Sequence, residues 1–134
     1  MIDALGDSLT DVNTLIVHDC DDVLIRRGAF SGVRLVNLLK IDGIANLEIQ
    51  PYAFDGIVES PRQLIIQNSK LREILSNSFT GISNVDHFWW RNVSVKRVEK
   101  VAFAGITHVN YLYFRDATLN HVENGAFGEE MGCF

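Results

Sequence analysis

Apolar positions along this chain recur with a long period. Five phenylalanines, Phe30, Phe54, Phe79, Phe103 and Phe127, stand in GAFSG, YAFDG, NSFTG, VAFAG and GAFGE, spaced by 24, 25, 24 and 24 residues. Each carries the same apolar frame around it. Fifteen residues earlier stand Leu15, Leu39, Leu64, Phe88 and Leu112, and thirteen earlier stand Val17, Ile41, Ile66, Trp90 and Phe114. Five earlier come Ile25, Ile49, Ile74, Val98 and Val122. Three later come Val33, Ile57, Ile82 and Ile106, and that series stops at Glu130. Gly32, Gly56, Gly81 and Gly105 follow the first four phenylalanines by two residues, which predicts a turn there.

A unit of this size cannot bury its own apolar face, so the repeat predicts a solenoid in which stacked units share one core. The positions fifteen and thirteen before each phenylalanine alternate with the period of two of a short strand. Units in register would align these strands into a parallel sheet. The remaining apolar positions fall on turns and on the outer connection to the next strand.

The pattern L-x-[IVWF], then I/V, then A-F-x-G resembles the typical 24-residue leucine-rich repeat over nearly the whole chain. The resemblance implies an α/β repeat solenoid: one arc over residues 1–134, about five repeats, with a parallel concave sheet and an irregular or short-helical convex side. Repeats ending in AF-x-G are common in extracellular binding proteins of animals, so it also implies an extracellular or secreted recognition module. One family feature is missing. The asparagine usually found ten residues before the phenylalanine is replaced by Cys20, Ile44, Ser69, Val93 and Ala117. Without that amide ladder, the turn must satisfy its backbone with other groups or water.

Alternate residues of the predicted strands point away from the core, and repeat solenoids use that open face for binding. The outward positions in the fourth and fifth units are His87, Trp89 and Arg91, then Tyr111, Tyr113 and Arg115, with Asn92 and Asp116 at the edge. Phe88 and Trp90 fall on the inward positions between them. Tyrosine, tryptophan and arginine are enriched at interface hot spots, and together they supply rigid area, hydrogen-bonding tips and cation–π contacts. The six outward residues are therefore the candidate ligand-binding face, for a protein ligand or co-receptor. The same composition serves self-association, so a homodimeric or scaffold role is the alternative. Sugar stacking on Trp89 and Tyr113 is a third reading, without a dedicated motif.

Other chemistry is thinly represented. HDCDD (residues 18–22) lacks the ligand run and turn glycine of a calcium loop, and reads as a solvated acidic turn. His18 and Asp42 share an outward row, but no nucleophile aligns with them, so the expectation is no enzyme, no cofactor and no metal. His108 and His121 read as solvent-facing residues of connecting segments. Asn92-Val93-Ser94 has the acceptor pattern for N-glycosylation and would make this a glycoprotein if secreted. Cys20 occupies an inward turn position and reads as a small hydrophobe, whereas Cys133 is the candidate for a capping or intermolecular disulfide.

Charge and length narrow the classes further. The 134 residues are 47% hydrophobic, enough for a core of their own. A net charge of −5 argues against nonspecific nucleic-acid binding. No apolar run is long enough to span a bilayer. The start, MIDALGDSLTDV, lacks signal-peptide regions, so a mature or excised segment, or a non-secreted chain, is expected. DSLTDV aligns with the tail of a preceding unit, and no cysteine-rich cap follows the last phenylalanine. A fragment of a longer array, or ends covered by another subunit, is expected, with Met131 and Phe134 as a minimal lid.

Overall fold

Every pairing between strands in the computed structural model, which describes residues 11–127, is parallel. In chain order the strands are β1 (Asp11–His18), β2 (Asp22–Ile25), β3 (Arg34–Asp42), β4 (Asn46–Ile49), β5 (Gln63–Ile74), β6 (Ser83–Val98), β7 (Thr107–Arg115) and β8 (Thr118–Val122). They form two ladders of stacked coils. The long ladder runs β1, β3, first half of β5, first half of β6, β7, and the short one runs β2, β4, then the second halves of β5 and β6, then β8. In β5 and β6 the strand passes from one ladder to the other without interruption.

The register reproduces the repeat residue by residue. Leu15 pairs with Leu39, Leu39 with Leu64, Leu64 with Phe88 and Phe88 with Leu112. Two residues on, Val17, Ile41, Ile66, Trp90 and Phe114 form the next column. From Leu39 onward the first column is buried, because each side chain has a coil on either side or the core beneath it. The phenylalanines form a spine of rings, with successive centroids 4.6, 5.7, 5.4 and 5.0 Å apart and planes within 19° of parallel. Each such ring pair contributes roughly 0.5–1.5 kcal/mol beyond the area it buries.

The second strand ladder has a weaker sequence signal. Val23 and Ile25, like Leu47 and Ile49, alternate with a period of two and are buried. In the next coils the buried pairs are Leu71 with Ile74 and Val95 with Val98, three residues apart, which breaks the alternation that marks a strand. The segments assigned to turns and outer connections are therefore partly sheet.

The expected short-helical convex side, and with it the α/β character, is not what the coils form: no helix occurs among the described residues. The segment around each phenylalanine closes tight turns instead. In the first, Ala29 donates to Arg26 O, Ser31 to Gly28 O and Val33 to Phe30 O. Left-handed residues flank each of the first four phenylalanines two before and two after, as at Gly28 (φ 70°) and Gly32 (φ 80°), so helical bonding cannot propagate. Adjacent turns are tied by a backbone ladder: Gly28 N donates to Tyr52 O, Tyr52 N to Asn77 O, Asn77 N to Val101 O and Val101 N to Gly125 O. Most of that column tolerates the left-handed region, but Val101 (φ 50°) is β-branched and strained there.

A third left-handed column marks the corner between the two ladders: Asp19, Gly43, Asn68, Asn92 and Asp116, with φ between 50° and 72°. Glycine, asparagine and aspartate are the residues that reach this region most readily. The corner also replaces the missing amide ladder. Ser69 Oγ accepts from Ile44 N at 3.2 Å and donates to Gln67 O at 2.8 Å, within the buried corner. One residue earlier, on the surface, Asn92 Nδ2 donates to Asn68 Oδ1 (2.8 Å) and Asn68 Nδ2 to Asp42 Oδ1 (2.9 Å).

Two expectations change. Cys20 is exposed, not a buried hydrophobe, since it sits in the first described coil with no described coil before it; its thiol donates to His18 O at 3.4 Å. His108 and His121 are exposed but belong to β7 and β8, not to connecting segments. Cys133, Met131, Phe134 and Glu130 lie outside the described residues, as does most of DSLTDV.

Candidate binding face on the long strands

Alternation along β6 separates two sets of side chains. Phe88 and Trp90 are completely buried, while His87, Trp89 and Arg91 lie on the opposite face, partly exposed. The neighbouring strand repeats the arrangement. His87 pairs with Tyr111, Trp89 with Tyr113 and Arg91 with Arg115, so the six candidates form two rows of three in direct register. Parallel pairing brings equivalent residues of successive units side by side at about 4.8 Å, close enough for flat side chains to stack.

They stack. Trp89 and Tyr113 have centroids 3.8 Å apart and planes 14° from parallel. His87 and Tyr111 are 5.3 Å apart at 12°. His87–Tyr113 and Tyr111–Tyr113, both at 5.8 Å, knit the four rings into one group. The Arg91 guanidinium carbon lies 4.1 Å from the Trp89 ring centroid, a cation–π contact. Tyr111 is the most open ring, at 53% exposure, and Arg115, at the other end of its row, is exposed as well.

Two polar atoms beneath this surface have no partner: His87 Nδ1 and Arg91 Nε are shielded from solvent and make no hydrogen bond. The third such atom, Trp90 Nε1, belongs to the core. An unpaired buried donor costs about 1–3 kcal/mol. The rings are thus packed together at some polar expense, which the β-sheet register imposes.

The rest of the same face is sparser. In the first three units its rows hold Thr14, Leu38 and Gln63, then Ile16, Lys40 and Ile65, then His18, Asp42 and Gln67. His18 and Asp42 are paired in register, yet His18 Nδ1 bonds the Asp19 carboxylate instead, at 2.9 Å. Asn68 donates to Asp42 and holds its carboxyl below the ordinary carboxylate range, with Gln67 and the nearby Lys40 and His18 acting in the same direction against partial burial. In the acidic turn, Asp22 accepts from Asn46 at 3.0 Å, and no group of three or more potential metal ligands gathers among the described residues.

Asn92 is exposed at the corner, adjoining the ring group, with its amide in the Asn68 ladder. The ladder and the left-handed corner were hidden in the sequence. Their signal was the column Asp19, Gly43, Asn68, Asn92, Asp116, whose residue types share one backbone preference and no hydropathy.

Compared with known proteins, the chain gives no significant match to a family model, a curated protein or a solved structure. No helix among the described residues is long and apolar enough to cross a membrane.

Proposed function

We propose that this chain is a non-enzymatic recognition module of the leucine-rich-repeat kind that binds a protein partner through the open face of its long strands. The observation that carries the reading is the stack of His87, Trp89, Tyr111 and Tyr113, a rigid aromatic surface built by register rather than by loops. Rings already fixed against one another lose little freedom on binding, which lowers the entropic cost of association. Tryptophan and tyrosine are also the side chains that most often dominate such contacts. Extracellular or secreted placement follows from the repeat pattern and makes Asn92 an N-glycosylation site at the margin of the face.

The test compares proteins cross-linked to the wild-type chain with those cross-linked to Trp89→Ala and Tyr113→Ala. Partners common to repeated wild-type captures should be lost from both variants while circular dichroism stays unchanged. Equal capture by both variants overturns the reading. A homodimeric scaffold is the second reading, favoured by the 53% exposure of Tyr111 on the last described long strand. Light scattering over a dilution series separates them, since the scaffold requires a concentration-dependent rise in mass that Tyr111→Ala abolishes.

A further inference from the structure

Trp89 has no free ring face. Tyr113 stacks on it at 3.8 Å and the Arg91 guanidinium lies 4.1 Å from its centroid. At these separations the two would collide on one face, so they cover opposite faces. The neighbouring rings stand parallel to within 19°, so the stacked inner faces are closed and the rim of the group is open to a ligand. Ring edges carry the positive end of the aromatic quadrupole, and the indole and phenol groups add donors. A sugar ring, which needs an open aromatic face, is poorly served by Trp89.

The two arginines strengthen this polarity. Arg91 and Arg115 are partners in register on adjacent strands. Neither forms an ion pair among the described residues, and Arg91 Nε lacks any acceptor. The patch is therefore a donor-rich, cationic spot on a chain of net charge −5. It is also narrow. Asp116 follows Arg115 directly, and Asp42 lies on the arginine row two strands further along. A long polyanion would meet these carboxylates, whereas a single carboxylate reaching exposed Arg115, with Arg91 turned toward it, would avoid them.

Resting on the protein-binding reading above, we propose that the face recognises an extended acidic peptide segment. One Asp or Glu carboxylate is shared by Arg91 and Arg115, and an apolar or aromatic neighbour packs on the edges of Trp89, Tyr111 and Tyr113. On binding, Arg91 turns toward the carboxylate and its Nε gains the acceptor it now lacks.

A random octapeptide library displayed on phage, selected against the folded chain, tests this. Enriched peptides should carry Asp or Glu beside an aliphatic or aromatic residue. Synthetic copies should bind tenfold or more weakly when that acid is replaced by its amide, and similarly weakly to Arg91→Gln/Arg115→Gln. Their affinity should fall as salt rises. In NMR titrations they should shift the Trp89 indole signal and leave that of buried Trp90 in place. If the double variant does not fold, Arg115→Gln alone, at an exposed side chain, should still show a clear loss. Peptides that shift Trp89 but are acid-free, or are indifferent to the arginine changes, overturn the carboxylate proposal while sparing the binding face. Tighter binding of a sulfated oligosaccharide assigns the spot to a polyanion instead. Absence of any enriched peptide acting at Trp89 overturns both readings.

Discussion

Trp89 and Trp90 are neighbours in sequence and belong to different problems. Trp90 is fully buried, edge-on to Phe79 at 5.8 Å and to Phe103 at 6.0 Å, and stacked near Phe114. It helps hold three coils together. Trp89 points the other way, between Tyr113 and Arg91, over a surface that the core does not need. A solenoid separates these roles more cleanly than a compact fold does, because strand alternation assigns each residue to frame or face. Changes to the frame should be felt as stability and changes to the face as recognition.

The largest expected effect breaks the frame. Trp90→Ala should destabilise the fold by about 3–5 kcal/mol, the usual cost of emptying a large aromatic site, measured by urea unfolding. A loss no larger than that of Trp89→Ala would erase the distinction between the two tryptophans. Gly81→Ala is next. Its added Cβ would lie 2.6 Å from the carbonyl oxygen of Phe54, a backbone atom of the preceding coil, at φ 108°. Roughly 2–3 kcal/mol should be lost through strain and displacement of the coil.

Trp89→Ala should cost only about 1–2 kcal/mol, the stacking with Tyr113 plus the Arg91 contact. Its consequence for partner binding should be the greater one. Val101→Gly probes the frame in the opposite direction, since it relieves a β-branched residue in the left-handed region and should stabilise by about 1 kcal/mol in the same unfolding assay.

The smallest effect belongs to the face alone. Asn68→Gly, which keeps the left-handed φ without strain, removes the main hydrogen bond that lowers the Asp42 pKa, so the Asp42 titration followed by NMR should move upward. A depressed folded-state pKa contributes stability that is present above the unfolded value and lost as pH falls through the folded one. The variant should therefore lose a little stability at neutral pH and be less sensitive to acid than the wild type.

How much was legible beforehand depended on whether a signal was hydrophobic. The columns headed by Leu15, Val17 and Phe30 were readable because every member is apolar at fixed spacing, and stacking demands that. The second ladder was not, because Leu71 and Ile74, and Val95 and Val98, abandon the spacing of two beyond the corner. Cys20 shares a column with buried Ile44 and Val93, yet it is exposed, since column membership says nothing about lying in the first described coil. The six face residues could be named from alternation, but their ring contacts could not.

By itself, then, the sequence determined the repeat length, the register of the long strands and which side of β6 each aromatic residue takes. These follow from periodicity, because equivalent apolar residues must stack to escape water. Only the tertiary structure decided that the outer side holds turns and a second ladder instead of helix, through paired left-handed residues around the first four phenylalanines. It also decided that Trp89 is covered on both faces, because that depends on side-chain contacts across β6 and β7 that no spacing rule specifies.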